Sequence, residues 1–170
     1  PMLASLGSPS DLHDPQQWAL EMKWDGVRAI CAVAGGRVRL VSRNGNDITD
    51  LYPELGELAD DLGAQAAILD GEIVALDPRG RPDFSLLQPR MKADPRVAPR
   101  LADQAPVTLM LFDILSLTLD GTEHHLMRTP YRARRELLAT AISPTERVRV
   151  PPAFDGSLDE AIAHARAERL

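Results

Sequence analysis

Apolar and polar positions set out most of the fold before any chemistry is considered. Val38, Leu40 and Ser42 alternate as one face of a half-buried strand. Val27 to Ala34 forms the preceding strand, and Gly35-Gly36 between the two suits a two-residue hairpin turn. Pro53 fits a first helical position and opens a short helix over 54–62, with Gly63 just beyond it. Residues 67–76 (AILDGEIVAL) read as a strand interrupted by Asp70-Gly71, and Asp77-Pro78-Arg79-Gly80 turns the chain. From Pro89 to Pro106 four prolines and no clear period predict a mobile connection. Residues 107–115, apolar except for the interruption at Asp113, predict a central strand. Thr129, as cap, and Pro130 open a helix through Thr140. A short strand is expected at 147–150. Ser157-Leu158-Asp159-Glu160 is a capping box for a helix running toward Leu170. The opening to Asp14, with Gly7, Pro9 and Asp14-Pro15, reads as irregular chain. Hairpins mixed with helices, without regular β-α alternation, predict an α+β domain.

Composition narrows the class. A chain of 170 residues, 44% hydrophobic and 26% charged, fits one domain with its own core. No apolar run approaches the roughly 20 residues that span a bilayer, and the N-terminus lacks the pattern of a secretory signal. The single cysteine, Cys31, excludes an internal disulfide and a multi-cysteine zinc site, and fits a small core position. A reducing cytoplasm is the expected setting. A net charge of −6 does not announce a nucleic-acid binder. Arginines do cluster between Arg90 and Arg100 and between Arg128 and Arg135, either as solvated surface or as DNA-facing charge.

The segment with most chemistry is Glu21-Met22-Lys23-Trp24-Asp25-Gly26-Val27-Arg28. From average residue usage, K-x-D-G-x-R arises by chance roughly once per hundred thousand positions, so coincidence is a poor account of it. An isolated lysine, with a pKa of about 10.4, is protonated and unreactive at neutral pH. A neighbouring cation such as Arg28, or a magnesium ion on bound phosphates, favours the neutral, nucleophilic amine. Gly26 permits a tight turn and close approach of a ligand. Asp25 is placed to hold the lysine or to help bind a metal. A plain surface turn is the alternative.

The segment resembles the nucleotidyltransferase motif of ATP-dependent DNA ligases, RNA ligases and mRNA-capping enzymes. The resemblance implies that Lys23 attacks the nucleotide α-phosphate and carries AMP covalently. Further segments match in order. Ser42-Arg43-Asn44-Gly45 resembles the ligase motif whose arginine contacts the ribose or the nick phosphate. Leu69-Asp70-Gly71-Glu72-Ile73-Val74 resembles a D-G-E motif whose glutamate binds the ribose or assists the metal. Two residues apart on a strand, Asp70 and Glu72 share a face, which is costly in an apolar run unless both are satisfied. Residues 109–115 resemble the motif whose aromatic stacks on adenine, which places Phe112 against the base. Asp113 beside it needs an arginine or a metal as partner. Glu21 matches the glutamate that meets the adenine amine.

These likenesses cover nearly the whole chain. Pro1-Met2-Leu3-Ala4, residues 79–88 and the helix from Thr129-Pro130-Tyr131 to Arg135 bring it nearest the ligase domains of bacterial end-joining repair ligases. The implied fold is an ATP-grasp-like nucleotidyltransferase domain of antiparallel sheets with flanking helices. The implied ligands are ATP and Mg2+, with Glu72 and Asp25 as candidate metal contacts. Nicked double-stranded DNA is the implied substrate, end-joining repair proteins are partners, and the bacterial cytoplasm, with the nucleoid, is the setting. The family's E-G-[VLI] and K-x-K motifs and its OB-fold domain do not appear before Leu170. The expectation is therefore a partial adenylation domain over 1–170, weak in adenylation on its own. A fragment of a longer protein and a naturally short, inactive relative both remain open. So do two other functions: an RNA ligase or capping-type guanylyltransferase, and a non-catalytic DNA- or nucleotide-binding module.

Overall fold

In the computed structural model, residues 5–8, 11–12, 14 and 17–168 are described. The expectations placed on Pro1 to Ala4, Pro9, Pro15 and the last two residues lie outside them. β1 (Val27–Ala34) and β2 (Arg37–Ser42) form the expected hairpin, with Gly35 and Gly36 at φ 56° and 71° in its turn. Alternation holds on β1, where Ala29, Cys31 and Val33 are buried. β3 (Ala66–Ala75) pairs antiparallel with β1 on one side and with β4 (Val107–Leu119) on the other. β5 (Thr122–His125) extends the edge beyond β4, and the two-residue β6 (Val148–Arg149) pairs parallel with β4. The described strands thus make one open sheet in the order β2-β1-β3-β4-β5, with β6 alongside β4, rather than several antiparallel sheets. β3 and β4 are flanked by partners on both edges, which is why both read as long apolar runs.

The helical expectations need three corrections. The helix over 54–62 is a 3-10 segment, Pro53–Glu57, running into α1 (Leu58–Asp61), and Leu62 already bridges to Ile142. The supposed mobile connection is mostly helical. α2 (Phe84–Met91) contains Pro89, a 3-10 turn spans Pro95–Val97, and α3 is Ala98–Gln104. Pro95 and Pro99 stand in the first turns of their helices, where a missing N–H costs nothing, so they start structure instead of breaking it. Asp83 caps α2 by accepting from the Ser85 amide. α4 is Tyr131–Ala141, preceded by Pro130 with no side-chain cap, so Thr129 does not serve as one. Its carbonyl accepts from Arg134 instead. The capping box at α5 (Leu158–Glu168) forms as expected, Glu160 accepting from the Ser157 amide at 2.8 Å.

The core lies on one face of the sheet, where Cys31, Leu69, Leu109, Leu111 and Ile114 meet Tyr52, Leu55, Leu58, Leu87 and Leu138. Cys31 is wholly buried, and burial pushes its thiol pKa up, so it is inert packing. Within the arginine clusters, two members are neither plain surface nor free DNA-facing charge. Arg90 is fully buried and Arg134 is bound to Asp113. Among the described residues no helix is long and apolar enough to cross a membrane.

Candidate active site

The sheet delivers side chains to the site by register. Arg28 on β1 lies directly opposite Glu72 on β3, so both project from the same face. The Arg28 guanidinium reaches diagonally to Asp70, its Nε 2.9 Å from Oδ1 and its Nη2 2.7 Å from Oδ2. This two-point contact explains how Asp70, 4% exposed, survives as a buried acid. On β4 the pairing slips: Asp70 stands opposite Asp113 and Gly71 opposite Leu111. Phe112 falls in this bulge without a partner on β3, which frees it to project from the ladder. The Arg28 guanidinium carbon sits 5.2 Å from the centre of its ring, a cation–π contact.

Glycines allow this close approach. A Cβ at Gly26 would lie 2.1 Å from the Ile73 carbonyl oxygen, and one at Gly71 would lie 2.8 Å from the Met110 carbonyl. Gly26 therefore brings the segment carrying Lys23 hard against β3. Its amide donates to Glu72. Burial pushes the Glu72 carboxyl up to about 7, against the opposing pull of Arg28 and Lys23. Arg43 is exposed on the turn after β2, whose shape Gly45 fixes at φ 83° with its amide bonded to the Ser42 carbonyl.

These elements enclose a cleft of about 870 Å³, the size of a nucleotide site. Glu21, Lys23, Arg28, Arg43, Glu72 and Phe112 all line it. They come from four separate stretches of sequence. Asp25 is exposed and is not among the lining residues. Asp70 and Asp113 serve the site indirectly, one by orienting Arg28 and the other by anchoring Arg134 through a 2.7 Å contact.

Sequence reasoning missed several residues that line the cleft or hold one that does. Lys92 follows α2, in the stretch read as a connection, and Asp83 two residues before Ser85 was the capping signal that could have found that helix. Arg135 sits with the motif residues through Glu21: its Nε lies 2.9 Å from Glu21 Oε1. Tyr131 donates to the other oxygen of Glu21 at 2.5 Å. Nothing in spacing alone pairs residues 110 positions apart.

The model of the ATP dependent DNA ligase domain matches residues 1–168. The chain belongs to this family. Within the ligase family it is 41% identical over 166 residues to the multifunctional non-homologous end joining protein LigD of Mycobacterium bovis, covering 98% of this chain and 20% of that protein. The LigD protein of Mycolicibacterium smegmatis is 37% identical over 170 residues, again with 20% of its length covered. The chain thus spans about a fifth of these curated relatives. Among solved structures, the ligase domain of Mycobacterium tuberculosis LigD superposes with a TM-score of 0.76 at 36% identity, over 99% of this chain and 51% of that one. A mycobacterial DNA ligase D complexed with ATP and MES gives 0.69 at 35% identity, over 89% and 45%. The α+β reading and the ligase resemblance therefore both hold.

Proposed function

We propose that this chain is the catalytic core of an ATP-dependent DNA ligase, with Lys23 as the residue that carries AMP. The observation behind the proposal is the convergence of Lys23, two arginines, two glutamates and an aromatic ring, from distant motifs, on one nucleotide-sized cleft. In the first step the neutral Lys23 amine attacks the α-phosphorus of ATP. A nitrogen–phosphorus bond forms, the bond to the bridging oxygen breaks, and pyrophosphate leaves with that electron pair while the amine's proton passes to solvent. A 5′-phosphate of DNA then displaces the lysine, and a 3′-hydroxyl finally expels AMP to seal the strand. Such in-line transfers depend on positioning and charge neutralisation. Arg28 and Arg43 supply positive charge, Phe112 a flat apolar platform for the base, and Glu21 an acceptor for the adenine amine.

Magnesium fits this donor set in one form only. Among the described residues no group of three or more His, Cys, Asp or Glu side chains could hold a metal alone. Glu72 offers a single carboxylate in the cleft, which suits an ion held mainly by phosphate oxygens and water. Bound there, the ion supplies neutralisation of phosphate charge. The mycobacterial relatives bear end-joining names, and by that likeness the substrate is a nick in double-stranded DNA at repaired ends. Repair proteins and the bacterial cytoplasm, at the nucleoid, complete the reading.

Intact mass after incubation with ATP and magnesium is the test, alongside Lys23→Ala and a GTP control. The expected result is a gain of one AMP, absent in the variant and not matched by GMP. The same incubation on a chimera, with this segment replacing its counterpart in a mycobacterial LigD ligase domain, supplies the downstream context. No adduct in either protein would sink the ligase reading and favour a non-catalytic binding module. A GMP adduct would move it to a capping-type enzyme.

A further inference from the structure

None of the nucleotide-site motifs lies on α4, yet this helix reaches the site at Glu21. Tyr131 and Arg135 are four apart, hence neighbours on one helix face. Between them they engage both carboxylate oxygens of Glu21: Tyr131 Oη donates to Oε2 at 2.5 Å and Arg135 Nε contacts Oε1 at 2.9 Å. Both donors are themselves fixed. Arg135 also donates to the Pro151 carbonyl, and the Tyr131 hydroxyl lies 3.4 Å from the carbonyl of Phe112. The intervening Arg134 clasps Asp113, next to Phe112, through two contacts of 2.7 and 2.8 Å. One turn of helix is thus tied both to the acidic residue at one side of the base site and to the strand that carries its aromatic platform.

Glu21 follows no regular element and is exposed, so without these donors its side chain would sample many rotamers. Tyr131 does not line the nucleotide cleft. It lines a second concavity of about 1310 Å³ that shares Glu21 and Arg135 with the cleft, so it reaches the carboxylate from outside the cleft. An ionised carboxylate has about four acceptor directions. With two taken by α4, those left toward the cleft accept hydrogens only. They suit the exocyclic amine of adenine and repel the carbonyl oxygen that guanine presents at the same position.

Resting on the ligase reading, we propose that Tyr131 and Arg135 are positioning residues that set the choice of adenine over guanine by locking Glu21 as a fixed acceptor. Burial and the Glu21 contact push the Tyr131 phenol well above its ordinary pKa, so it remains a donor.

Equilibrium binding to the protein, followed by the fluorescence of Trp24 in the cleft, tests this with ATP, ITP and purine riboside triphosphate, which lacks the amine. Tyr131→Phe and Arg135→Lys should each lower the preference for ATP over purine riboside triphosphate by about tenfold, the worth of one well-aligned hydrogen bond to a charged group. Affinity for purine riboside triphosphate itself should stay within about twofold, since no amine is there to be read. Glu21→Gln should lower the preference similarly, and adding Tyr131→Phe to it should change little. Equal weakening of all three nucleotides would mean a merely structural role and overturn the proposal, as would an unchanged preference in Tyr131→Phe. A wild type that forms the Lys23 adduct but keeps its preference in both variants refutes this inference alone. A wild type that binds no nucleotide, alone and in the LigD chimera, removes the ligase reading and this inference with it.

Discussion

Glu72 lines the cleft, and burial pushes its carboxyl up to about 7. Its burial opposite Arg28 makes the folded protein hold a proton that the unfolded chain releases at its ordinary value of 4.5. For an acid raised in the folded state, this contribution is complete below about pH 4.5 and is lost as pH climbs through 7. Urea unfolding of the wild type and of Glu72→Gln at pH 5 and pH 8 should therefore diverge. Wild type should lose on the order of 2 kcal/mol relative to the variant across that interval, after discounting for partial solvent screening. A pH-independent difference would show that the carboxyl is not raised. The same proton has a catalytic corollary, because a cation bound at Glu72 would have to displace it.

Among the elements, the pair α2 and α3 shows best why sequence and structure parted. Four prolines predicted a mobile connection, because the signal that overrides them, a buried arginine, has no local signature. Arg90 is fully buried, with Nη1 2.7 Å from Glu54 Oε1 and Nη2 3.0 Å from Oε2. Nη1 and Nη2 also donate to the carbonyls of Ala105 and Leu51, each at 2.8 Å, while the buried Nε finds no hydrogen-bond partner among the described residues. One side chain thus fastens α2 to the end of α3 and to the turns at 49–57, and so holds Met91 and Lys92 at the cleft. By contrast, the hairpin was legible because Gly-Gly and alternation are local, and Lys23, Arg28, Arg43, Glu72 and Phe112 were legible as motifs. Tyr131, Arg135 and Lys92 were not, since their places depend on how α2 and α4 dock. Removing Glu54 alone leaves a buried guanidinium without its counter-charge, so Glu54→Ala should cost about 3–5 kcal/mol in chemical denaturation. Replacing both partners, as Glu54→Leu with Arg90→Met, should cost less than that single change. A double variant less stable than Glu54→Ala would refute the account.

For the molecule as a whole, net charge and site charge point in opposite directions. At −6 the chain should repel a triphosphate, yet five basic side chains and only two acidic ones line the cleft. The compensating acids are spread elsewhere, several in exposed pairs such as Asp47 with Arg39 and Asp94 with Arg96. At about 0.1 M salt, screening confines each exposed charge to roughly 10 Å, so a ligand entering the cleft feels the local excess and not the total. ATP binding should accordingly weaken as salt rises from about 50 to 300 mM, the opposite of what net charge predicts. Lys92 is exposed at the rim and makes its contribution through charge alone. Lys92→Glu should weaken ATP binding several-fold at low salt and flatten the salt slope, while Lys92→Arg should leave both nearly unchanged. Calorimetric titrations at three salt concentrations decide the matter. Affinity that is flat or rises with salt would mean that the distributed acids reach the cleft after all, and the focusing argument would fall.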